Sequence, residues 1–391
     1  MSNLKIFSLA FIFSLPIFIS IANQWSISLS RYVNDMGPFI ATLPASFIIS
    51  SIYIFLFLSA NFLKNQLQIG GDKILGFVLL TFPLLAVFLY VTHFPGKMFI
   101  FIYTIFFYLC ASFYLTKITY FNYLNLIKSL FYLQMLYGLL SYLMVNNYAP
   151  GVSMGTLIPG VLVIYNYEQY YSFGSALCAG LLIMTKNTNL YKKLFYFGAG
   201  FFLSTITENV TSQLFILALL FLSLITMTLS HNFVISLKPS FFIIGFLFSI
   251  SIPIFSWFFY EYFPNYVGSP TSHGMWSRII IHHHWIESIS FFDLLLPLTS
   301  ADWFHDWGWQ PHHQLLNSLW YGGIFLLILN LIFNLIIVSK AFSYDYIVFG
   351  FFYFFVGSAA EPLTHPFLLL QFYLLVAASN VVRKKELIFL R

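Results

Sequence analysis

Long apolar runs recur along almost the whole chain, with short polar connections between them. A helix needs about 20 apolar residues to cross a ~30 Å hydrocarbon core, and reading for such runs predicts twelve spans. Their approximate bounds are 4–22, 38–60, 74–92, 98–116, 129–145, 169–185, 194–207, 211–229, 240–259, 317–339, 346–360 and 363–379. The pattern therefore predicts an all-α, polytopic membrane protein with about 12 transmembrane helices.

Composition points to the same class of protein. Hydrophobic residues make up 60% of the 391 residues and charged residues only 7%, against about 25% in an ordinary soluble domain. So few charges cannot cover the surface of a soluble protein of this length, which excludes a soluble enzyme and a nucleic-acid-binding module. The two cysteines, Cys110 and Cys178, both lie in apolar stretches, so no disulfide framework is expected.

The basic residues in the connections predict how the spans are oriented. With the N-terminus in the cytoplasm and alternating spans, 14 of the 17 Lys and Arg residues fall inside, and Arg31, Lys97 and Arg278 fall outside. This bias follows the positive-inside rule and predicts that both termini are cytoplasmic. The first run begins near Lys5 but lacks a small-x-small cleavage site, so we expect it to be the first span.

The predicted spans divide the chain into three parts, of which the middle one carries most of the chemistry. An N-terminal bundle of about nine spans (1–259) is followed by a large outer loop (260–316) and by the C-terminal spans and cytoplasmic tail (317–391). The loop contains seven of the ten histidines and five of the eight tryptophans. Loops held by a rigid scaffold are where function concentrates.

One stretch of this loop predicts a helix lying along the membrane surface. The residues from Ser277 to Glu287 include no Gly or Pro. Helical spacing places Arg278, His282 and Trp285 on one face, and His283 with Glu287 on another. A second helix is expected after Pro311, because Pro favours a helix start. The first turn of this helix, the tenth span, would then hold His312 and His313 at the outer mouth of the bundle.

An arginine and a histidine at that mouth suit transfer of a group from a lipid diphosphate. Guanidinium is permanently charged and binds phosphate oxygens with two parallel N–H groups. Imidazole has an ordinary pKa of about 6.5 and can take a proton from a hydroxyl near neutral pH. Local composition alone also allows Arg278 to pair with lipid headgroups or with a loop carboxylate.

The order of these residues resembles the O-antigen polymerase and O-antigen ligase superfamily. In that superfamily a Ser-Arg pair opens the large outer loop, and a His-Asn pair begins the next span, with a Gly eleven residues after the His. Here Ser277-Arg278 is similar to the first element, and His312 with Gly323 gives the spacing of eleven. The twelve-span plan with its late outer loop, and the sequence Tyr171-Ser172-Phe173-Gly174-Ser175, are also similar to this superfamily.

The chain departs from the superfamily pattern at two places. His313 stands where Asn is usual, which leaves either His312 or His313 as the base; the spacing favours His312. Many relatives carry an Arg in the turn after the seventh span, whereas this chain has Glu208 in a stretch without Arg. Either the substrate geometry differs or one of the histidines 282–284 supplies that charge. This departure weakens the ligase interpretation more than the polymerase interpretation.

The resemblance implies a metal-independent glycosyltransferase in the bacterial inner membrane that needs no cofactor. Its donor would be a glycan on undecaprenyl diphosphate, extended by repeat units in a polymerase or moved onto lipid A–core in a ligase. A chain-length regulator and a flippase of the same pathway would be its protein partners, besides membrane lipid, with no nucleic acid. A lipid-linked oligosaccharide transporter and a non-catalytic scaffold remain alternatives, although a transporter should show repeated halves and broken helices at the midplane.

Several further side chains are candidates for contacting the substrate. The set combines aromatic residues of the loop with carboxylates at outer turns: His282, Trp285, Trp309, Glu168, Glu208 and Glu361. The tryptophans suit sugar rings, and they equally suit the membrane interface. Each carboxylate could instead lie in an ordinary exposed turn. Three adjacent histidines, His282 to His284, point in different directions from one helix, so they cannot all bind one ion. His283 and Glu287 could bind one together with His305, but no HExxH motif or cysteine pair supports a metal site, and we expect solvated or headgroup-binding histidines instead.

Overall fold

The computed structural model describes residues 3–11, 104–105, 107–109, 111–112, 114–148, 167–186, 188–206, 209–264, 275–288, 313–359 and 366–389, and the regular elements in these ranges are all helical. The main helices are α1 (Tyr120–Tyr148), α2 (Tyr167–Met184), α3 (Leu190–Ile206), α4 (Val210–Thr228), α5 (His231–Ser236), α6 (Lys238–Tyr262), α7 (Met275–Ser288), α8 (Gln314–Ser339), α9 (Asp345–Phe351) and α10 (Pro366–Phe389). A 3-10 turn, Leu115–Lys117, precedes α1, and α9 continues through a π-helical segment, Phe352–Val356, into Gly357–Ala359.

The predicted all-helical class is confirmed over the described residues. Every predicted span from 129 to 379 overlaps a helix, and the first predicted span begins with helical residues 3–11. Two helices, α4 and α6, are long and apolar enough to cross a membrane, which is weak support for membrane association. The number of twelve spans stays a prediction. The predicted spans 38–60 and 74–92 lie outside the described residues.

Helix α2 lies at the centre of the described bundle. It is buried along its length from Ser172 to Met184 and packs against α1, α3 and α4. In contrast, α4 and α6 expose large apolar side chains, including Phe221, Ile244 and Phe255. An exposed apolar face of this extent is typical of a surface that contacts lipid or another apolar partner.

Polar side chains join helices that are distant in sequence. Gln134 of α1 donates to Gln371 of α10 at 2.7 Å, and Tyr373 of α10 donates to Asn334 of α8 at 2.9 Å. Hydrogen bonds between helices in a membrane contribute about 0.6 kcal/mol each on average. Such bonds therefore fix which faces of the helices meet more than they raise stability.

Helix α8 bends sharply at Gly323. Its backbone φ there is 62°, a left-handed value that glycine adopts without steric cost. Asn330 donates to Ser318 Oγ at 2.7 Å, although twelve residues of straight helix span about 18 Å. The first two turns of α8 therefore fold back against its longer second part. Gly323 is also the glycine of the motif that resembles the O-antigen superfamily, and the bend gives a physical reason for a glycine there.

Candidate functional site

His313 caps the N-terminus of α8. Its Nδ1 accepts hydrogen bonds from the backbone N–H groups of Leu315 at 3.2 Å and Leu316 at 3.4 Å. The first N–H groups of a helix have no partner within the helix, so a side-chain acceptor just before it stabilises the start. A ring that accepts at Nδ1 carries its proton on Nε2. His313 is therefore the neutral Nε2–H tautomer.

The proton on Nε2 of His313 is used in a second bond, to the backbone of α6. Nε2 lies 2.8 Å from the carbonyl oxygen of Ser249. In a regular helix that carbonyl would accept from the N–H four residues later, but residue 253 is proline and has no N–H. A buried carbonyl without a donor is costly. His313 supplies the donor that Pro253 lacks, which joins the start of α8 to the middle of α6.

The surroundings of this bond are close-packed. His313 is fully buried, and the hydroxyl of Ser358 donates to Ser249 Oγ at 3.1 Å. A Cβ atom on Gly357 would lie 3.1 Å from the Cβ of Gln314, a distance tighter than usual van der Waals contact. The glycine therefore lets the segment after α9 approach the first residue of α8, where His313 begins the helix.

Helix α7 forms where the sequence predicts it and packs against the C-terminal half of α6. His282 Nδ1 lies 3.2 Å from Ser256 Oγ, and that hydroxyl donates to the carbonyl of Ile252 at 2.8 Å. When the hydroxyl proton is directed at Ile252, the ring donates to it from Nδ1. The rings of His282 and His313 lie 5.9 Å apart, edge to face.

Arg278 lies one helical turn before His282 on α7 and is partly buried. Burial lowers the pKa of its guanidinium from the ordinary value, but an arginine still keeps its charge at neutral pH. The predicted neighbour on the same face, Trp285, is only 4% exposed and belongs to the apolar core. Trp285 thus packs α7 against the bundle, and its predicted contact with the substrate stays a prediction.

The opposite face of α7 brings imidazoles and carboxylates together. His283 Nε2 lies 3.3 Å from a carboxylate oxygen of Glu261 and 3.4 Å from one of Glu287. The ligand atoms of His283, His284 and Glu287 all lie within 4.8 Å of one another. Two adjacent histidines and Glu287 therefore converge, and this group has a geometry that can hold a metal ion. Burial and the neighbouring His283 lower the pKa of His284, while Glu287 opposes the shift.

Three polar residues near His313 were missed by the sequence analysis. Two of them, Ser249 and Ser256, are seven residues apart on α6. Both serines are buried, and so is Pro253, which lies between them. Small polar residues at this spacing in an apolar helix indicate a face turned toward protein. The serine spacing in the sequence could therefore have predicted this face. Asn317, one turn after His313, is 1% exposed, and its amide atoms have no hydrogen-bond partner among the described residues.

His313 immediately precedes the first turn of α8 and contacts Ser249, twelfth of the 25 residues of α6. Its predicted position at the outer mouth of the bundle stays a prediction.

The remaining predicted site residues have no described side chains. Glu168 lies in the first turn of α2, consistent with its predicted place at the edge of the sixth span. His312, Trp309, Glu208 and Glu361 lie outside the described residues.

Comparison with family models finds no match for the chain, and comparisons with curated proteins and with solved structures find no significant similarity.

Proposed function

We propose that the protein is an inner-membrane glycosyltransferase that polymerises oligosaccharide repeat units carried on undecaprenyl diphosphate. The reaction takes place on the periplasmic side, and both termini are cytoplasmic. The proposal rests on one observation: α7, the helix that contains Arg278, lies close to the start of α8. His282, one turn after Arg278, lies 5.9 Å ring to ring from His313, so the cation and the histidines of a long loop share one region.

The role of His313 favours His312 as the base. Both ring nitrogens of His313 are engaged in the bonds that cap α8 and complete α6. Asparagine is among the best N-cap residues, and the resembling superfamily usually has asparagine at this position. His313 therefore takes the capping role of that asparagine, and the preceding histidine is left for chemistry. Among the described histidines, His282 is the second candidate, because its ring lies 5.9 Å from that of His313.

The proposed step is a displacement at the anomeric carbon of the donor sugar. A hydroxyl oxygen of the acceptor sugar forms the new bond to that carbon while the bond from the carbon to the diphosphate oxygen breaks. The base takes the hydroxyl proton, and the lipid diphosphate leaves with the electron pair. General-base assistance contributes about 10²–10⁴ in rate. Arg278 stabilises the charge that develops on the leaving diphosphate, and the buried amide of Asn317 binds a sugar hydroxyl.

The acceptor decides between polymerase and ligase. Both reactions use the same donor and the same displacement, but a ligase transfers the finished glycan to lipid A–core. Glu208, where many relatives carry an arginine, favours the polymerase. The chain-length regulator and the flippase of the pathway are the proposed protein partners.

Deletion of the gene, followed by electrophoresis of the surface polysaccharide, separates these functions. Loss of a polymerase leaves core carrying a single repeat unit, whereas loss of a ligase leaves bare core and polymer retained on its lipid carrier. An unchanged ladder in the deletion strain overturns both. A second assay distinguishes an enzyme from a transporter. Lipid-linked repeat units are added to the purified protein in vesicles, and only an enzyme lengthens their glycan.

Arg278 and the two candidate bases are tested in the complemented deletion strain. Arg278→Ala, His312→Ala and His282→Ala should reduce polymer at unchanged protein level if each group acts as proposed. Arg278→Lys separates charge from two-pronged binding, and Lys192→Ala, at an exposed lysine near the start of α3, is the matched control. Full activity of Arg278→Ala contradicts the proposal.

A further inference from the structure

A cavity lies at the N-terminal end of α6, away from His313. It has a volume of about 510 Å³, within the range of small-molecule sites. Its walls come from the ends of several helices, including the start of α6 at Lys238 and the stretch just after α8 at Ala341. Lys238 precedes Ser249 by eleven residues, which corresponds to about 16 Å along α6. The cavity is therefore separate from the candidate active site.

The charge of the cavity lining is mainly positive. Lys186, Lys238 and Arg383 line it, against the single carboxylate of Asp345, and His231 adds an imidazole. The carboxylate oxygen Oδ2 of Asp345 already accepts from the hydroxyls of Tyr123 at 2.8 Å and Ser379 at 2.6 Å. Asp345 thus offsets one of three cations, and an excess of positive charge remains.

Two of these cations are held close together by one backbone oxygen. The carbonyl of Ser339, in the last turn of α8, accepts from Lys238 Nζ at 2.6 Å and from Arg383 Nη1 at 2.9 Å. The two nitrogens are therefore at most about 5.5 Å apart. The end of a helix attracts cations, but this bond uses one of the three donors of the ammonium and one of the five of the guanidinium. Like charges this close favour an anion between them.

We propose that this cavity binds a phosphate group, held by Lys238 and Arg383 with Lys186 adding charge. Ammonium and guanidinium together bind phosphate oxygens with strong, charge-assisted hydrogen bonds. Under the proposed orientation the cavity opens at the cytoplasmic leaflet, where basic pockets between helices bind anionic lipid headgroups. Free phosphate offers the same chemistry, so the source of the group is left to the experiment.

The test measures phosphate and lipid binding by the purified full-length protein. Its thermal unfolding is followed with inorganic phosphate, with phosphatidylglycerol or with phosphatidylcholine, and native mass spectrometry counts the retained lipid. Lys238→Gln and Arg383→Gln should each weaken apparent affinity about tenfold, whereas Lys192→Gln, an exposed lysine at the start of α3, should leave it unchanged.

Each outcome decides the proposal. Phosphatidylglycerol retained over phosphatidylcholine, with loss in the two variants only, identifies a lipid headgroup. Saturation by inorganic phosphate alone, with the same residue dependence, identifies free phosphate. If the wild-type protein prefers neither, or if its preference survives both substitutions, the proposal is wrong. The wild-type measurement alone can overturn it, so the test does not depend on the variants folding.

Discussion

The bond between His313 and the carbonyl of Ser249 should couple energetically to Pro253. We consider His313→Ala in two backgrounds, wild type and Pro253→Ala. In the wild type the substitution removes the cap of α8, which costs about 1 kcal/mol. It also leaves the buried Ser249 carbonyl without a donor, which costs about 1–3 kcal/mol more. The expected loss is therefore about 2–4 kcal/mol.

In the Pro253→Ala background the same substitution should cost less. The alanine that replaces the proline has a backbone N–H that can bond the Ser249 carbonyl within α6, so only the cap of α8 is lost, at about 1 kcal/mol. The difference between the two backgrounds, a coupling free energy of about 1–3 kcal/mol, lies well above the additivity error of about 0.3–0.5 kcal/mol.

The coupling is measured from the unfolding of the four proteins of the cycle in detergent, by denaturant titration where unfolding is reversible. Pro239→Ala is the matched control, because this proline lies in the first turn of α6, where its missing N–H frees no carbonyl inside the helix. The cycle of Pro239→Ala with His313→Ala should be additive. A coupling of zero in the Pro253 cycle would refute the reasoning, and so would an equal coupling in both cycles.

Further predictions concern the candidate active site. His313→Asn should keep most of the polymerising activity because asparagine also caps α8, whereas His312→Ala should abolish it; polysaccharide ladders measure both, and the opposite pattern makes His313 the base. Asn317→Ala should lower activity more than tenfold without lowering protein level, because its amide is buried beside the site; unchanged activity contradicts the sugar-binding role. Glu287→Gln should leave activity intact in a vesicle assay, and so should a chelator. If activity is lost and added zinc restores it, His283, His284 and Glu287 form a required metal site. Activity limited by a neutral base should rise with pH through about 6.5, and a flat profile from about pH 5.5 to 8 counts against a histidine base.

Much of the helical framework could be predicted from the sequence because apolar runs and their interruptions determine where helices begin and end. The helix around Arg278 was predicted from the absence of Gly and Pro alone, and α7 extends one or two residues beyond it. The i, i+4 pairing of His283 with Glu287 followed from helical geometry and is present. These are local properties, which neighbouring residues in the sequence decide.

What could not be predicted depends on contacts between distant segments. Nothing local indicated that His313 would bond a carbonyl 64 residues earlier, because the cause is the missing N–H of Pro253 in another helix. The burial of Trp285 was missed for a similar reason, since an indole suits a core, an interface or a sugar equally well. The bend at Gly323 requires a left-handed φ that the Gly-Gly pair permits but does not dictate.

The two ends of the large loop are attached to one helix. Helix α7, near the beginning of the loop, packs along the C-terminal half of α6, and His313, immediately after the loop ends, is bonded to the middle of the same helix. A tilt or shift of α6 would therefore carry both attachment points along together and leave the distance between them unchanged.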